Sequence, residues 1–71
     1  MIEVATNKLK DWQNNDSRHR AYLTTIVSKS IVYRCLLQWE ANSMLFYAEA
    51  TSINPDDAVT HCLGEYTKRV N

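Results

Sequence analysis

The stretch Phe46–Val70, FYAEATSINPDDAVTHCLGEYTKRV, decides the fold, because within it an alternating pattern of side chains changes to a helical one. Asn54 is a favoured residue for a helix N-cap, and Pro55 suits the first helical position. Asp56 and Asp57 follow in the first turn, where the helix dipole favours negative charge. The stretch therefore predicts a strand that ends before Asn54 and a helix that spans Pro55–Val70.

Both ends of the chain carry apolar residues at helical spacing. In the last helix this stripe consists of Val59, Cys62, Leu63, Tyr66 and Val70. Near the start, Leu9 and Trp12 share one side of a helix with Val4 or Ala5. A polar break at residues 14–17 follows, so we predict a first helix over Glu3 to Gln13.

The middle of the chain favours strands, because the segment TTIVSKSIVY is rich in β-branched residues. The predicted strands are Arg20–Val27, Ser30–Trp39 and Met44–Thr51, with turns at Ser28-Lys29 and at residues 40–43. We therefore predict a single α+β domain over residues 1–71, with the order α-β-β-β-α and both helices on one face of a three-stranded antiparallel sheet. An all-α small bundle stays open as the alternative, because residues 31–46 also carry apolar side chains at helical spacing.

The second predicted hairpin can be folded so that the pairs on both faces are chemically sensible. Folding about residues 40–43 gives the pairs Trp39–Met44, Leu37–Phe46, Cys35–Ala48, Arg34–Glu49 and Leu36–Tyr47. The face that the helices leave open would then carry Val32, Leu36, Leu45 and Tyr47, with Tyr22 and Ile26. This is more exposed apolar surface than a monomer usually carries, and it is the one structural hint of function.

The α-β-β-β-α order resembles that of the double-stranded-RNA-binding domain, over the whole length of the chain. That family opens its last helix with lysines that grip phosphates, where this chain has Asn54-Pro55-Asp56-Asp57. That family also has a loop with Gly-Pro and His between its first two strands, where this chain has only Ser28-Lys29. The resemblance implies topology alone, and no RNA-binding residue is carried over.

Composition argues against catalysis, because a phosphate loop needs more than the one glycine that the chain has, and a zinc site needs a second Cys-His pair besides His61-Cys62. We expect no enzyme activity, no cofactor and no metal. Cys35 and Cys62 are expected to be buried thiols. No secretory signal or membrane-length apolar run is visible, so we expect a cytoplasmic protein without membrane contact.

Charge is unevenly placed, although the net charge is zero. Residues 35–66 carry five acidic side chains and no lysine or arginine, whereas a basic cluster lies early in the chain. This cluster consists of Lys8, Lys10, Arg18, His19 and Arg20. A nucleic-acid-binding module that uses it is one alternative function, although nucleic acid is an unexpected partner for a chain with a pI of about 6.7.

The leading hypothesis is a small non-catalytic module that uses the outer sheet face or a sheet edge, either to form a homodimer or to bind a larger protein target, such as a nucleic-acid-handling complex. Its expected partner-binding residues are Leu36, Leu45, Tyr47, Trp39, Glu40, Asp56 and Asp57. Small proteins of this kind are common among phage and mobile-element inhibitors of host machinery, anti-CRISPR proteins among them, which act by occupying a target surface. A homodimeric structural subunit is a further alternative.

Overall fold

The computed structural model describes residues 2–70 and has the predicted α-β-β-β-α order. Its elements are helix α1 (Ile2–Asn14), strands β1 (Arg20–Val27), β2 (Ile31–Ala41) and β3 (Met44–Ser52), and helix α2 (Pro55–Val70). The three strands form one antiparallel sheet in the order β1-β2-β3. The α+β prediction is therefore confirmed, the all-α alternative is wrong, and the predicted bounds agree with the structure to within two residues.

Helix α2 begins at the predicted cap. The Asn54 side-chain oxygen accepts hydrogen bonds from the backbone N–H groups of Asp56, at 2.9 Å, and Asp57, at 3.5 Å. These N–H groups have no partner inside the helix, so the cap satisfies donors that would otherwise be left open. Acidic residues in the first turn and Lys68 and Arg69 in the last turn complement the helix dipole.

Both helices cover the same side of the sheet, which we call the inner face. Helix α2 packs on β2 and β3, and α1 packs on β1 and α2. Alternate residues of β2 are buried, which shows that only one face is covered. The buried core consists of Ala5, Leu9 and Trp12 from α1, Cys35, Leu37, Trp39 and Ala48 from the sheet, and Ala58, Val59 and Cys62 from α2.

Helix α2 approaches the sheet closely at Cys62. The Cys62 Sγ lies 3.4 Å from the carbonyl oxygen of Cys35 and 3.3 Å from that of Ala48. Small side chains at Ala48 and Ala58, both buried, leave room for this approach. As predicted, both cysteines are free and buried. The pKa of the Cys35 thiol is raised far above its ordinary value, first by the neighbouring Cys62 thiol and then by burial.

The predicted register of the second hairpin is wrong by two residues. The turn contains only Asn42 and Ser43, both with positive φ (54° and 64°), so Ala41 pairs with Met44. Trp39 consequently pairs with Phe46, where Met44 was expected. A shift of two residues keeps every side chain on its predicted face, because side chains alternate with a period of two.

The other expected pairs follow the same shift. Leu37 lies opposite Ala48, Cys35 opposite Ala50, Leu36 opposite Glu49 and Arg34 opposite Thr51. Arg34 nevertheless reaches Glu49 diagonally, with 3.4 Å between its Nε and the Glu49 Oε2. The first turn also differs, because it contains three residues, Ser28–Ser30, where two were expected.

Replacing Ser43 with glycine should raise the free energy of unfolding by about 1 kcal/mol. A left-handed backbone costs a residue with a Cβ roughly 1–2 kcal/mol, and Asn-Gly is the favoured pair in a two-residue turn. Urea denaturation measures the change. Ser30→Gly is the matched control, since Ser30 does not have a positive φ, and this variant should gain no stability. Equal gains in both variants would contradict the turn assignment.

Candidate binding surface

The outer face of the sheet, opposite the helices, carries the side chains that alternate with the core residues. On β1 these are Arg20, Tyr22, Thr24 and Ile26; on β2 Val32, Arg34, Leu36, Gln38 and Glu40; and on β3 Leu45, Tyr47, Glu49 and Thr51. Neither helix contributes a residue to this face, because both pack on the inner face.

Four apolar or aromatic residues, Tyr22, Leu36, Leu45 and Tyr47, form what we call the outer patch. Tyr22 lies directly opposite Leu36 across the β1–β2 pair, and Tyr47 lies diagonal to Leu36 across the β2–β3 pair. Diagonal neighbours are about 7–8 Å apart, which is within reach of an aromatic side chain. Tyr22 is 50% exposed, Leu45 49% and Tyr47 48%, so each presents a broad apolar surface to solvent.

Charged side chains of both signs border the outer patch. Arg34 and Glu49 form a half-exposed ion pair beside Leu36, Arg20 lies on the β1 side, and Glu40 lies opposite Leu45. An exposed ion pair contributes little to folding stability, so Arg34 and Glu49 can exchange this contact for one with a partner. An aromatic centre with a polar rim that includes arginine is the usual composition of a protein–protein interface.

Of the predicted site residues, Leu36, Leu45, Tyr47 and Glu40 lie on the outer face, but Trp39 does not. Trp39 is only 4% exposed, and its ring packs at 4.8 Å from Tyr66 and 5.8 Å from Phe46. Trp39, although predicted among the partner-binding residues, therefore lies in the core. The reason is that β2 continues to Ala41, which places Trp39 inside the strand and under α2.

Asp56 and Asp57 lie far from the other predicted site residues. They belong to the first turn of α2, on the helix side of the molecule, at the end of β3 opposite to the Asn42-Ser43 turn. Asp56 also forms an ion pair with Lys8, with 2.9 Å between Oδ1 and Nζ. The seven predicted residues therefore do not form one surface. Tyr22, which was predicted on the open face but not among the seven partner-binding residues, joins the site because it lies opposite Leu36.

The early basic cluster does not form a continuous surface, because several of its members are engaged within the chain. Arg18 forms two side-chain hydrogen bonds with Asp16, at 3.0 and 3.2 Å. These bonds and one from the Arg18 backbone N–H lower the pKa of Asp16 to about 2. Arg20 donates hydrogen bonds to the carbonyl oxygens of Ser17 and His19.

His19, expected in the basic cluster, is part of the protein interior. Its ring stacks on Trp12, with 4.0 Å between the ring centroids, and its Nδ1 lies 2.8 Å from the Trp12 carbonyl oxygen. The carbonyl can only accept, so Nδ1 carries a proton and donates. Tyr66 meets both rings edge-on. His19 therefore ties the loop after α1 to the two helices.

Within residues 2–70, no three His, Cys, Asp or Glu side chains are arranged to hold a metal ion. In the same part of the chain, no helix has the length and apolar character needed to cross a membrane. No family model, curated protein or solved structure matches this chain.

His19→Ala should lower the free energy of unfolding by about 1–3 kcal/mol, because it removes an aromatic stack and the shorter of two hydrogen bonds to the Trp12 carbonyl, which then keeps only the bond from the Asn15 backbone N–H at 3.3 Å. Thermal or urea unfolding followed by circular dichroism measures the loss. Lys10→Ala is the control, since Lys10 is exposed, and surface changes of this kind usually stay within about 0.5 kcal/mol. A His19 variant as stable as the Lys10 variant would contradict the interior role.

Proposed function

We propose that this protein is a non-catalytic protein-binding module that docks its partner on the outer face of the sheet. The observation that carries the proposal is the outer patch of Tyr22, Leu36, Leu45 and Tyr47, which neither helix covers. Aromatic side chains supply much contact area with few rotatable bonds, so they are favoured anchors at interfaces.

The border of the outer patch supports recognition of a partner with charges of both signs. Arg20 and Arg34 are matched by Glu40 and Glu49 on the same face, and all four side chains are exposed. Such a mixed rim favours a protein surface over the uniformly negative backbone of a nucleic acid. Charge complementarity at the rim would mainly set specificity and association rate, while the outer patch would supply affinity.

Occupying a target surface is the mode of action that we propose for this module. This mode of action requires a rigid face and no conformational change, which agrees with a sheet that two helices support on its inner face. The small size of the domain suggests that it inhibits host machinery on behalf of a phage or mobile element, in the manner of anti-CRISPR proteins.

Replacing Tyr22 and Tyr47 together with lysine should abolish partner capture. Affinity capture is performed from cells that express the chain, with each variant immobilised at the same density. Thr60→Lys with His61→Lys is the matched control, because both residues are exposed on α2. Circular dichroism confirms that both double variants fold. A partner that the tyrosine variant still captures at the level of the control would overturn the proposal.

Charge reversal distinguishes the two acidic regions. Glu40→Lys should weaken binding of the captured partner severalfold, because Glu40 lies beside Leu45 at the border of the outer patch. Asp57→Lys should leave it unchanged, because Asp57 lies on the helix side at the other end of the sheet. Titration calorimetry with the purified partner measures both. A loss confined to Asp57→Lys would move the binding surface to the start of α2.

A further inference from the structure

The two edge strands, β1 and β3, each have backbone N–H and C=O groups that point away from the sheet. The geometry of the Asn42-Ser43 turn shows which residues carry them. The two-residue turn makes Ala41 and Met44 a hydrogen-bonded pair, and such pairs alternate along an antiparallel ladder. Odd-numbered residues of β2 therefore bond to β3, and even-numbered ones bond to β1. It follows that Ala21, Leu23, Thr25 and Val27 direct their N–H and C=O groups away from the sheet, as do Leu45, Tyr47, Glu49 and Thr51 on the other edge.

The β3 edge is protected against pairing with another strand. The Arg69 guanidinium, at the end of α2, donates a hydrogen bond to the outward-directed carbonyl of Tyr47. Glu49 places a charged side chain on the same strand. Covering an edge and charging it are two of the ways in which proteins prevent strand-to-strand association.

The β1 edge is open over three residues. The backbone N–H of Ala21 donates to the Gln13 side-chain oxygen, at 2.8 Å. This bond agrees with the outward direction inferred for Ala21, and it leaves that N–H unavailable to another strand. No charged residue lies between Ala21 and Val27, and the strand is rich in β-branched side chains. Within residues 2–70, Leu23, Thr25 and Val27 thus present unpaired backbone groups on an uncharged stretch of the strand, which is the form of edge that accepts another strand.

We propose that the β1 edge pairs with the β1 edge of a second copy of this chain, antiparallel and centred on Thr25. Thr25 would lie opposite Thr25 of the second copy, and Leu23 opposite Val27 in both directions. This register uses all three open positions and leaves the Gln13 bond to Ala21 in place. It brings no like charges opposite each other, since Arg20 would face Ser30 and Lys29 would face Ala21.

A groove on the inner face supports the second copy as occupant. Val27 is 74% exposed, and its side chain lies on the inner face beyond the helices. In the proposed register it would lie beside Leu23 of the other copy. Leu23 borders a groove of about 310 Å³ between α1 and β1, which Thr6, Leu9 and Gln13 also line. Each Val27 would therefore cover apolar surface that the single chain leaves open, with the symmetry of a closed dimer.

Such a dimer would join two three-stranded sheets into one of six strands, with both outer patches on the same side. The pairing does not depend on the function proposed for the outer patch, because it uses the edge and the inner face. The two proposals can therefore fail separately: the tyrosine variants test the outer patch, and the edge variants below test only association.

Thr25→Glu should make the protein monomeric, because it places two carboxylates directly opposite each other at the dimer axis. Thr24→Glu is the matched control, since the Thr24 side chain lies on the outer face opposite Arg34. Sedimentation equilibrium across a dilution series should show a reversible dimer for the natural chain and for Thr24→Glu, and a dissociation constant raised roughly tenfold or more for Thr25→Glu. A natural chain that stays monomeric throughout would overturn the proposal.

Cysteine substitution tests the register without a change of charge. Hydrogen-bonded pairs have Cα atoms about 5.5 Å apart, which a disulfide can bridge. Oxidised Thr25→Cys should therefore form a covalent dimer on a non-reducing gel. Thr24→Cys should not, because the two copies of residue 24 would be offset along the strands. The natural chain, with Cys35 and Cys62 buried, is the baseline. Equal yields from both variants would exclude the Thr25 axis.

Discussion

The close approach of α2 to the sheet at Cys62 is the constraint on which the remaining packing depends. The Cys62 sulfur lies 3.3–3.4 Å from two strand carbonyls, and the residues at Ala48 and Ala58 beside this contact are small and buried. This contact seats α2 over β2 and β3, so that α1 is left to cover β1 and to complete the core through Leu9 and Trp12. With both helices committed to one side, the other face of the sheet has no covering element within the described chain, and its apolar residues stay at the surface.

The same placement of α2 makes the sheet asymmetric. Because the helix ends beside β3, Arg69 can donate a hydrogen bond to the Tyr47 carbonyl and cover part of the β3 edge. Within the described residues, no side chain covers Leu23, Thr25 and Val27 on the β1 edge in this way. The aromatic contacts of Tyr66 with Trp12, His19 and Trp39 then fasten the last helix to the loop after α1 and to the middle strand. The two proposed binding surfaces, one a face and one an edge, are thus both consequences of where a single helix lies.

The sequence predicted the elements and their faces because these follow from periodicity and capping, as with Asn54 at the start of α2. It could not settle the register of the second hairpin. Pairing Leu37 with Phe46 or with Ala48 is equally sensible, and the choice depended on Asn42 and Ser43 accepting positive φ. Trp39, predicted among the partner-binding residues, lies in the core, because the strand extends past it and α2 covers it. The basic cluster does not form the predicted surface, in part because Lys8 forms an ion pair with Asp56, 48 positions away in the sequence. No local sequence pattern reveals this contact. The outer patch was largely predicted. A sheet edge was also expected as a binding site, but which edge stays open depends on tertiary contacts such as that of Arg69 with Tyr47, which the sequence did not reveal.

The positions of the first residue of α1 and the last residue of α2 determine how this domain can be joined to a tether or to another domain. Ile2 lies near Tyr33 and Pro55, at one end of the long axis, and Val70 lies near Trp39 and Phe46, at the other. Both ends belong to the helix layer. A tether, label or additional domain joined at either end would therefore leave from the reverse side of the sheet. The protein could be displayed on a surface or fused in tandem with its strands still facing outward.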